Sequence, residues 1–167
     1  WSPFALIAEI RQYFDKTLLL AGCLNHGHEI LAAQLLGADL AYLGTRFIAT
    51  HESEATQAYK AMLLQARAAD IVHTPAVSGV PASFMRQSLE LAGFDLTRLQ
   101  DKGAIDYGEK LKPVDDEAKA WKTVWSAGQG VGTIRDLPTV DELVARLDAE
   151  YRAAQARAAC LAQRWPQ

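Results

Sequence analysis

The feature that most constrains the fold is a strand–helix–strand pattern within residues 17–44. Two short apolar runs, residues 17–21 and 38–44, flank a helical segment over residues 30–36, and glycines separate the three parts. Continuous apolar runs of this length are typical of strands buried on both faces. The pattern therefore predicts an α/β fold that contains a βαβ unit with parallel strands and a right-handed crossover.

Each predicted strand ends at a glycine that begins or precedes a turn: Gly22 is followed by Cys23, and Gly44 is followed by Thr45. Ligands of parallel sheets bind at the carboxyl ends of the strands, where backbone N–H groups beside glycine approach an anion closely. We therefore interpret these turns as a phosphate site. In β/α barrels that site frequently follows strands 7 and 8, so we predict the last two strands of a (β/α)8 barrel. The alternative is that Gly22, Gly44 and Gly27 only form turns.

The rest of the chain has a mostly helical pattern. Ser2 and Pro3 are typical of a helix start, and Thr139 with Glu142 forms a capping box. Helices are predicted over residues 3–13, 53–69, 83–92 and 115–124 and from residue 140 onward, with loops over residues 71–81 and 126–132. The chain is thus divided into barrel units over residues 1–52, a helical and loop portion over 53–137, and a closing amphipathic helix over 138–167.

Two parallel strands are too few for an independently stable sheet. The first residue is Trp1 rather than Met, and the sequence opens directly on a helix start. We therefore expect an upstream part of the same polypeptide to supply the remaining strands.

Composition excludes several classes of function. The chain has 167 residues, of which 50% are hydrophobic and 22% charged, with a formal net charge of -3. Its scattered basic residues predict no nucleic-acid partner. It has no run of about 18 apolar residues and no secretory signal pattern, so we expect no membrane partner and a cytoplasmic location. Cys23 and Cys160 lack the spacing of metal ligands and are predicted to be free thiols, with no metal site.

The titratable residues near the strand ends give few catalytic candidates. His26 and His28 lie in the first turn, where a histidine is more often solvated or capping than functional, and His51 and His73 are weaker candidates. Cys23 lacks a recognisable base that would make it a nucleophile.

Arg46 follows the second glycine turn. Its side chain either pairs with a bound phosphate or pairs with an acid at the rim of the barrel. The sequence leaves both alternatives open.

Three blocks of sequence resemble the nitronate monooxygenase family, also called 2-nitropropane dioxygenases. They are residues 21–27 (AGCLNHG), 36–39 (LGAD) and 42–53 (YLGTRFIATHES). Residues 78–83 (SGVPAS) and 125–129 (WSAGQ) resemble downstream segments of the same family. The resemblance covers nearly all of this chain and corresponds to the C-terminal half of a family member.

The resemblance implies an FMN-dependent barrel with an added helical substrate domain, here residues 53–137. Such enzymes oxidise alkyl nitronates with O2 to a carbonyl compound and nitrite, by single-electron transfer to the flavin and without a metal. The resemblance places Gly22 and Cys23 in one FMN phosphate loop and Gly44 and Thr45 in the other. Two further residues, Ser126 and Gln129, are expected nearer the flavin ring or the substrate entrance.

Two departures from the family pattern matter. The family commonly has a second glycine where this chain has Cys23, and a side chain there disfavours a positive φ. The family's catalytic histidine, in a Gly-His motif after an earlier strand, has no counterpart here. Gly27-His28 imitates that motif but lies at the start of the crossover helix, so the catalytic base is unknown and expected outside this chain.

Two other functions remain open at this stage. An FMN-dependent enoyl-acyl carrier protein reductase shares the barrel and its loops. The other alternative is a non-catalytic flavin-binding or scaffolding fragment.

Overall fold

The computed structural model describes residues 1–77, 79–97 and 124–164. Residues 1–55 and 134–167 form one compact unit, called the first unit below, and residues 56–133 form the second unit. The barrel segment and the closing helix of the sequence analysis thus belong to the same unit. In chain order the regular elements are α1 (Pro3–Ile10), β1 (Leu19–Ala21), α2 (Gly27–Leu36), β2 (Leu40–Tyr42), α3 (Thr45–Ile48), α4 (Gln57–Gln65), β3 (Ile71–Thr74), β4 (Ala82–Met85), α5 (Arg86–Leu91) and α6 (Val140–Gln163).

The predicted βαβ unit is confirmed in the first unit. Strands β1 and β2 pair in parallel, with Ala21 opposite Tyr42 at their carboxyl ends, and α2 connects them. The helix ends at Gly37, whose φ of 113° is a left-handed conformation that a side chain would disfavour. A small core of four buried residues joins α1, the sheet and α2: Ile7, Leu20, Ala33 and Ala38.

The prediction that both strands are buried on both faces is wrong. Leu20 is buried, but Leu19, Leu40 and Tyr42 are 47%, 52% and 60% exposed. The helices that cover Leu20 pack on one face of the sheet. Within the described ranges no element covers the opposite face.

The predicted closing helix is confirmed as α6. Thr139 caps it by accepting a hydrogen bond from the N–H of Glu142, whose carboxylate accepts from the N–H of Thr139. Leu143 and Leu147 are buried, and α6 packs against α2. No helix in the part of the chain that the structure describes is long and apolar enough to cross a membrane.

The second unit contains a β-hairpin where we predicted a loop over residues 71–81. Strand β3 pairs antiparallel with β4, with Ile71 opposite Met85. The β-branched residues at the start of the predicted loop favour a strand, and the prolines at positions 75 and 81 lie in the connection rather than in β3. The hairpin packs in a core with the buried residues Val77, Phe84, Leu89 and Val124.

Other predicted boundaries in this unit also shift. Helix α4 is capped by Thr56, whose hydroxyl accepts from the N–H of Tyr59 at 3.2 Å, rather than by Ser53. Helix α5 begins only after β4 ends, and residues Gln129–Thr133, which overlap the glycine-rich loop predicted over residues 126–132, form a 3-10 helix. The helix predicted over residues 115–124 lies outside the described residues except for Val124.

Candidate functional site

The two predicted phosphate turns lie at the same edge of the β1–β2 sheet. Gly22 directly follows β1, and Gly44 lies two residues beyond β2. Because β1 and β2 are parallel, with their carboxyl ends side by side, both glycines lie at the same end of the sheet. This is the edge at which ligands of parallel sheets bind. Four of the six predicted site residues, Gly22, Cys23, Gly44 and Thr45, are therefore brought to one end of the sheet.

The first turn has a left-handed backbone. Gly22 has a φ of 97° and Cys23 has a φ of 59°. Cys23 is the only non-glycine residue in the described ranges with a positive φ. Its side chain is exposed. The turn thus keeps the conformation that suits two glycines, although the second position carries a side chain.

We expect Cys23→Gly to stabilise the protein by up to about 1.5 kcal/mol. A left-handed conformation costs a residue with a side chain roughly 1–2 kcal/mol, and the extra chain entropy of glycine offsets roughly 0.5–1 kcal/mol of the gain. The measurement is the denaturant midpoint of the purified protein. Cys160→Ser is the matched control, because it removes the other exposed thiol, which lies in α6. A lower midpoint for Cys23→Gly would contradict the expected strain.

The second turn leaves space in front of its glycine. Gly44 precedes α3 and has a φ of −97°, which any residue can adopt. A Cβ atom built on Gly44 would meet no heavy atom of the described residues within 4 Å, and the same holds for Gly22. Neither a special backbone angle nor a close neighbour among the described residues therefore explains the glycine at position 44.

Arg46 pairs with an acid, which decides between the two alternatives. Its guanidinium lies 3.0 Å from a carboxylate oxygen of Asp136, and its side chain is only 4% exposed. Burial lowers the pKa of Arg46, and the charge of Asp136 opposes this shift. The carboxylate of Asp136 also binds Arg146 at 2.7 Å. That hydrogen bond is the largest cause that lowers the pKa of Asp136.

The histidines beside the first turn contribute to helix structure. His26 is the N-cap residue of α2, and its backbone N–H donates to the carboxylate of Glu29 at 3.0 Å. Its ring lies 3.5 Å from a carboxylate oxygen of Glu150 and stacks on the ring of His28, with centroids 5.2 Å apart. His28 lies in the first turn of α2, as expected for an imitation of the family's Gly-His motif.

Ser126 and Gln129 lie in the second unit. Ser126 forms an isolated β-bridge with Phe84, and its carbonyl oxygen accepts a hydrogen bond from the hydroxyl of Tyr59. The ring of Tyr59 stacks on Trp125, with centroids 5.2 Å apart. Burial raises the pKa of Tyr59. Gln129 begins the 3-10 helix.

Sequence reasoning missed this aromatic stack. Trp125 belongs to the block that carries the family resemblance, which is a usable signal. Tyr59 lies far away in the sequence, in the helix α4, where it looks like any other aromatic residue of an amphipathic segment.

The remaining histidine candidate of the second unit lies beside a serine across the hairpin. His73 lies on the hairpin, with its Nδ1 atom 3.2 Å from the hydroxyl of Ser83. Across the described ranges, no three His, Cys, Asp or Glu side chains are grouped so that they could hold a metal ion. A cavity of about 460 Å³ in the second unit is lined by Met62, Gln65, Ala66, Asp70, Met85, Arg86, Gln87 and Glu90, none of which is a predicted site residue.

Comparison with known sequences gives one consistent result. A sequence profile described as nitronate monooxygenase matches residues 2–150. A nitronate monooxygenase from Paraburkholderia phytofirmans is 33% identical over 157 residues, which cover 89% of this chain and 42% of that protein. A probable nitronate monooxygenase from Staphylococcus haemolyticus is 36% identical over 78 residues, which cover 47% of this chain and 22% of the relative. The chain therefore spans less than half the length of these relatives.

Solved structures agree with the sequence comparison. A nitroalkane oxidase from Streptomyces ansochromogenes superposes with a TM-score of 0.74 at 30% identity and covers 94% of this chain and 45% of the oxidase. FabK from Thermotoga maritima superposes with a TM-score of 0.70 at 22% identity, covering 96% of this chain and 52% of FabK. The second likeness concerns the fold alone. The chain thus has an α/β fold with TIM-barrel-like neighbours.

Proposed function

The chain belongs to the nitronate monooxygenase family, and we propose on this premise that it is the phosphate-binding part of an FMN-dependent nitronate-oxidising enzyme. The reaction is the oxidation of an alkyl nitronate by O2 to a carbonyl compound and nitrite. The observation that carries the proposal is the pair of glycine turns at one sheet edge, each with open space where a side chain would begin. That space suits a phosphate approached by backbone N–H groups.

The residues present fit the phosphate end of FMN. In this proposal Gly22 and Cys23 hold the phosphate from one strand end and Gly44 and Thr45 hold it from the other. The backbone of Cys23 has the left-handed conformation although the residue carries a side chain, and that side chain is exposed. FMN, when bound, supplies the electron transfer between the nitronate and O2. The four residues named here bind and orient the cofactor, and the catalytic base lies outside this chain.

We further propose that β1 and β2 are the last two strands of the barrel. The exposed apolar residues Leu19, Leu40 and Tyr42 support this proposal, because the remaining strands of a closed barrel would cover them. The relatives are more than twice as long as the part that this chain matches. An upstream part of the same polypeptide would then complete the barrel.

In the same proposal residues 53–137, most of which belong to the second unit, are the helical substrate domain. Ser126 and Gln129 are proposed to lie nearer the flavin ring or the substrate entrance. Within the second unit, the hydroxyl of Tyr59 donates to the carbonyl oxygen of Ser126.

The first test is an absorbance spectrum of the protein as its gene encodes it. We expect flavin bands, and mass spectrometry of the released ligand should give FMN. The activity assay measures nitrite release from an alkyl nitronate in air. Because O2 is the oxidant, the control is the same assay under argon, in which nitrite release should be lost. A colourless protein that takes up no added FMN would contradict the proposal and favour a non-catalytic binding or scaffolding role.

The second candidate function is FMN-dependent enoyl-acyl carrier protein reduction. The sequence leaves this alternative open because such reductases share the barrel and its loops, and the superposition on FabK, which extends over 96% of this chain, concerns that shared fold alone. NADH-dependent reduction of an enoyl thioester under argon, without nitrite formation from nitronates in air, would establish this alternative.

A further inference from the structure

The segment that follows the second glycine turn is attached to the start of α6 by a chain of charged contacts. Arg46 is the second residue of α3, and one of its guanidinium nitrogens donates to the Asp136 carboxylate at 3.0 Å and to the Asp136 carbonyl at 3.3 Å. The other carboxylate oxygen of Asp136 lies 2.7 Å from Arg146, in α6. We call Arg46, Asp136 and Arg146 the arginine clamp. Asp136 thereby connects α3 to α6.

Asp136 is the counter-charge on which the buried guanidinium depends. Arg46 Nε has no hydrogen-bond partner among the residues that the structure describes. Ala49 adds only a long contact of 3.5 Å from its carbonyl oxygen. Removing the carboxylate would therefore leave the buried guanidinium without its hydrogen-bonded counter-charge, with only the weaker influence of the Glu150 charge in its place. The side chain would then have to move toward water. Because Arg46 lies in a four-residue helix, that movement would displace the backbone of Thr45 and Gly44.

A second set of contacts holds the far end of the same segment. The backbone N–H of His51 donates to the carbonyl of Pro138 at 3.0 Å. The carboxylate of Glu52 accepts from the N–H of Val140, at 2.8 and 3.0 Å, at the first residue of α6. Residues 46–52 are thus anchored at both ends to residues 136–140, while the preceding Gly44 has open space in front of it among the described residues.

We propose that the arginine clamp is a positioning device for the second phosphate turn, so that Asp136 sets FMN affinity without contacting the flavin. Asp136 lies 90 residues from Arg46 in the sequence. The inference rests on the proposed function, because it assumes that Gly44 and Thr45 hold the phosphate. Asp136, Arg46 and Arg146 are positioning residues.

The test measures the FMN dissociation constant by titrating FMN into the apo form of the protein as its gene encodes it. Asp136→Asn should weaken FMN binding by about tenfold or more, the size typical of losing a group that orients a ligand-holding residue. With FMN in excess, kcat should return toward the wild-type value. A purely structural role would lower the melting temperature of the apo-protein but leave the FMN affinity of the folded molecules unchanged.

The matched control is Arg152→Ala. Arg152 forms an ion pair at 2.8 Å with Asp148 in α6, but the two side chains are 75% and 57% exposed. Losing this surface pair should change neither FMN affinity nor kcat. Asp136→Glu keeps the charge and should recover part of the affinity that Asp136→Asn loses.

Arg146→Gln is a second variant for the case in which Asp136→Asn does not fold. Arg146 is 44% exposed, and its loss leaves the Arg46–Asp136 pair in place. We expect a folded protein with a several-fold higher dissociation constant for FMN. If the wild type binds FMN and a folded Asp136→Asn or Arg146→Gln variant binds it equally well, the clamp proposal is overturned while the proposed function stands. If the wild type binds no FMN, the proposed function itself fails.

Discussion

Replacing Gly27 with alanine is expected to lower the free energy of unfolding by about 3 kcal/mol or more, the upper part of the range for overpacking a tight contact. A Cβ atom at position 27 would clash with the carbonyl oxygen of Leu147 and with the backbone nitrogen of Tyr151. Both atoms belong to the backbone of α6, so no side-chain rotation can relieve the clash. The two helices would have to separate.

Separation would also disrupt other contacts at this crossing. The N–H of Gly27 donates to the carboxylate of Glu150 at 2.7 Å, and the hydroxyl of Tyr151 donates to the side-chain oxygen of Gln34 at 2.6 Å. These bonds join α6 to α2 along one side, so moving the backbones apart would lengthen both.

Chemical denaturation of the apo-protein measures the effect, read as a shift of the midpoint at constant slope. Gly132→Ala is the control, because a Cβ atom there would lie 3.5 Å from its nearest neighbours, an ordinary van der Waals distance. We expect the control to stay within about 0.5 kcal/mol of the wild type. A Gly27→Ala variant as stable as the wild type would mean that α2 and α6 do not approach this closely.

The parts of the fold that depend on local pattern were predictable from the sequence. The βαβ unit follows from apolar runs separated by glycines, and α6 follows from its capping box and apolar spacing. The β3–β4 hairpin was missed because the prolines and the glycine of its connection predict a loop, and this signal outweighed the β-branched residues of β3. The exposed side of the β1–β2 sheet was also missed, since an apolar run gives no information about which neighbours are present to cover it.

The contacts that position the candidate site could not be predicted from the sequence. The sequence suggested that Arg46 binds either a phosphate or an acid, but nothing near Arg46 points to Asp136. Only the fold brings these two residues together. The same holds for Gly27, which looks like an ordinary turn glycine until the backbone of α6 is placed beside it.

Gly44, unlike Gly27, has no close neighbour among the described residues. We expect its substitution to have the largest effect on FMN binding. In Gly44→Leu the new side chain would extend into the open space in front of the turn, where the proposed phosphate lies. Loss of two charge-assisted hydrogen bonds, each about 1.5 kcal/mol, corresponds to roughly 100-fold weaker FMN binding. The apo-protein should stay within about 0.5 kcal/mol of the wild type, because the φ of −97° suits any residue.

The measurement compares FMN content and affinity with the denaturant midpoint of the apo-protein. Gly44→Ala adds a single methyl group and should give an intermediate loss of affinity, so that the effect grows with side-chain size. Unchanged FMN binding in Gly44→Leu would show that the phosphate does not occupy this space. A matching loss of apo-protein stability would instead assign Gly44 the structural role of Gly27. The two glycines thus distinguish a packing role from a binding role, because Gly27 faces a helix backbone and Gly44 has no atom of the described residues within 4 Å of where its Cβ would lie.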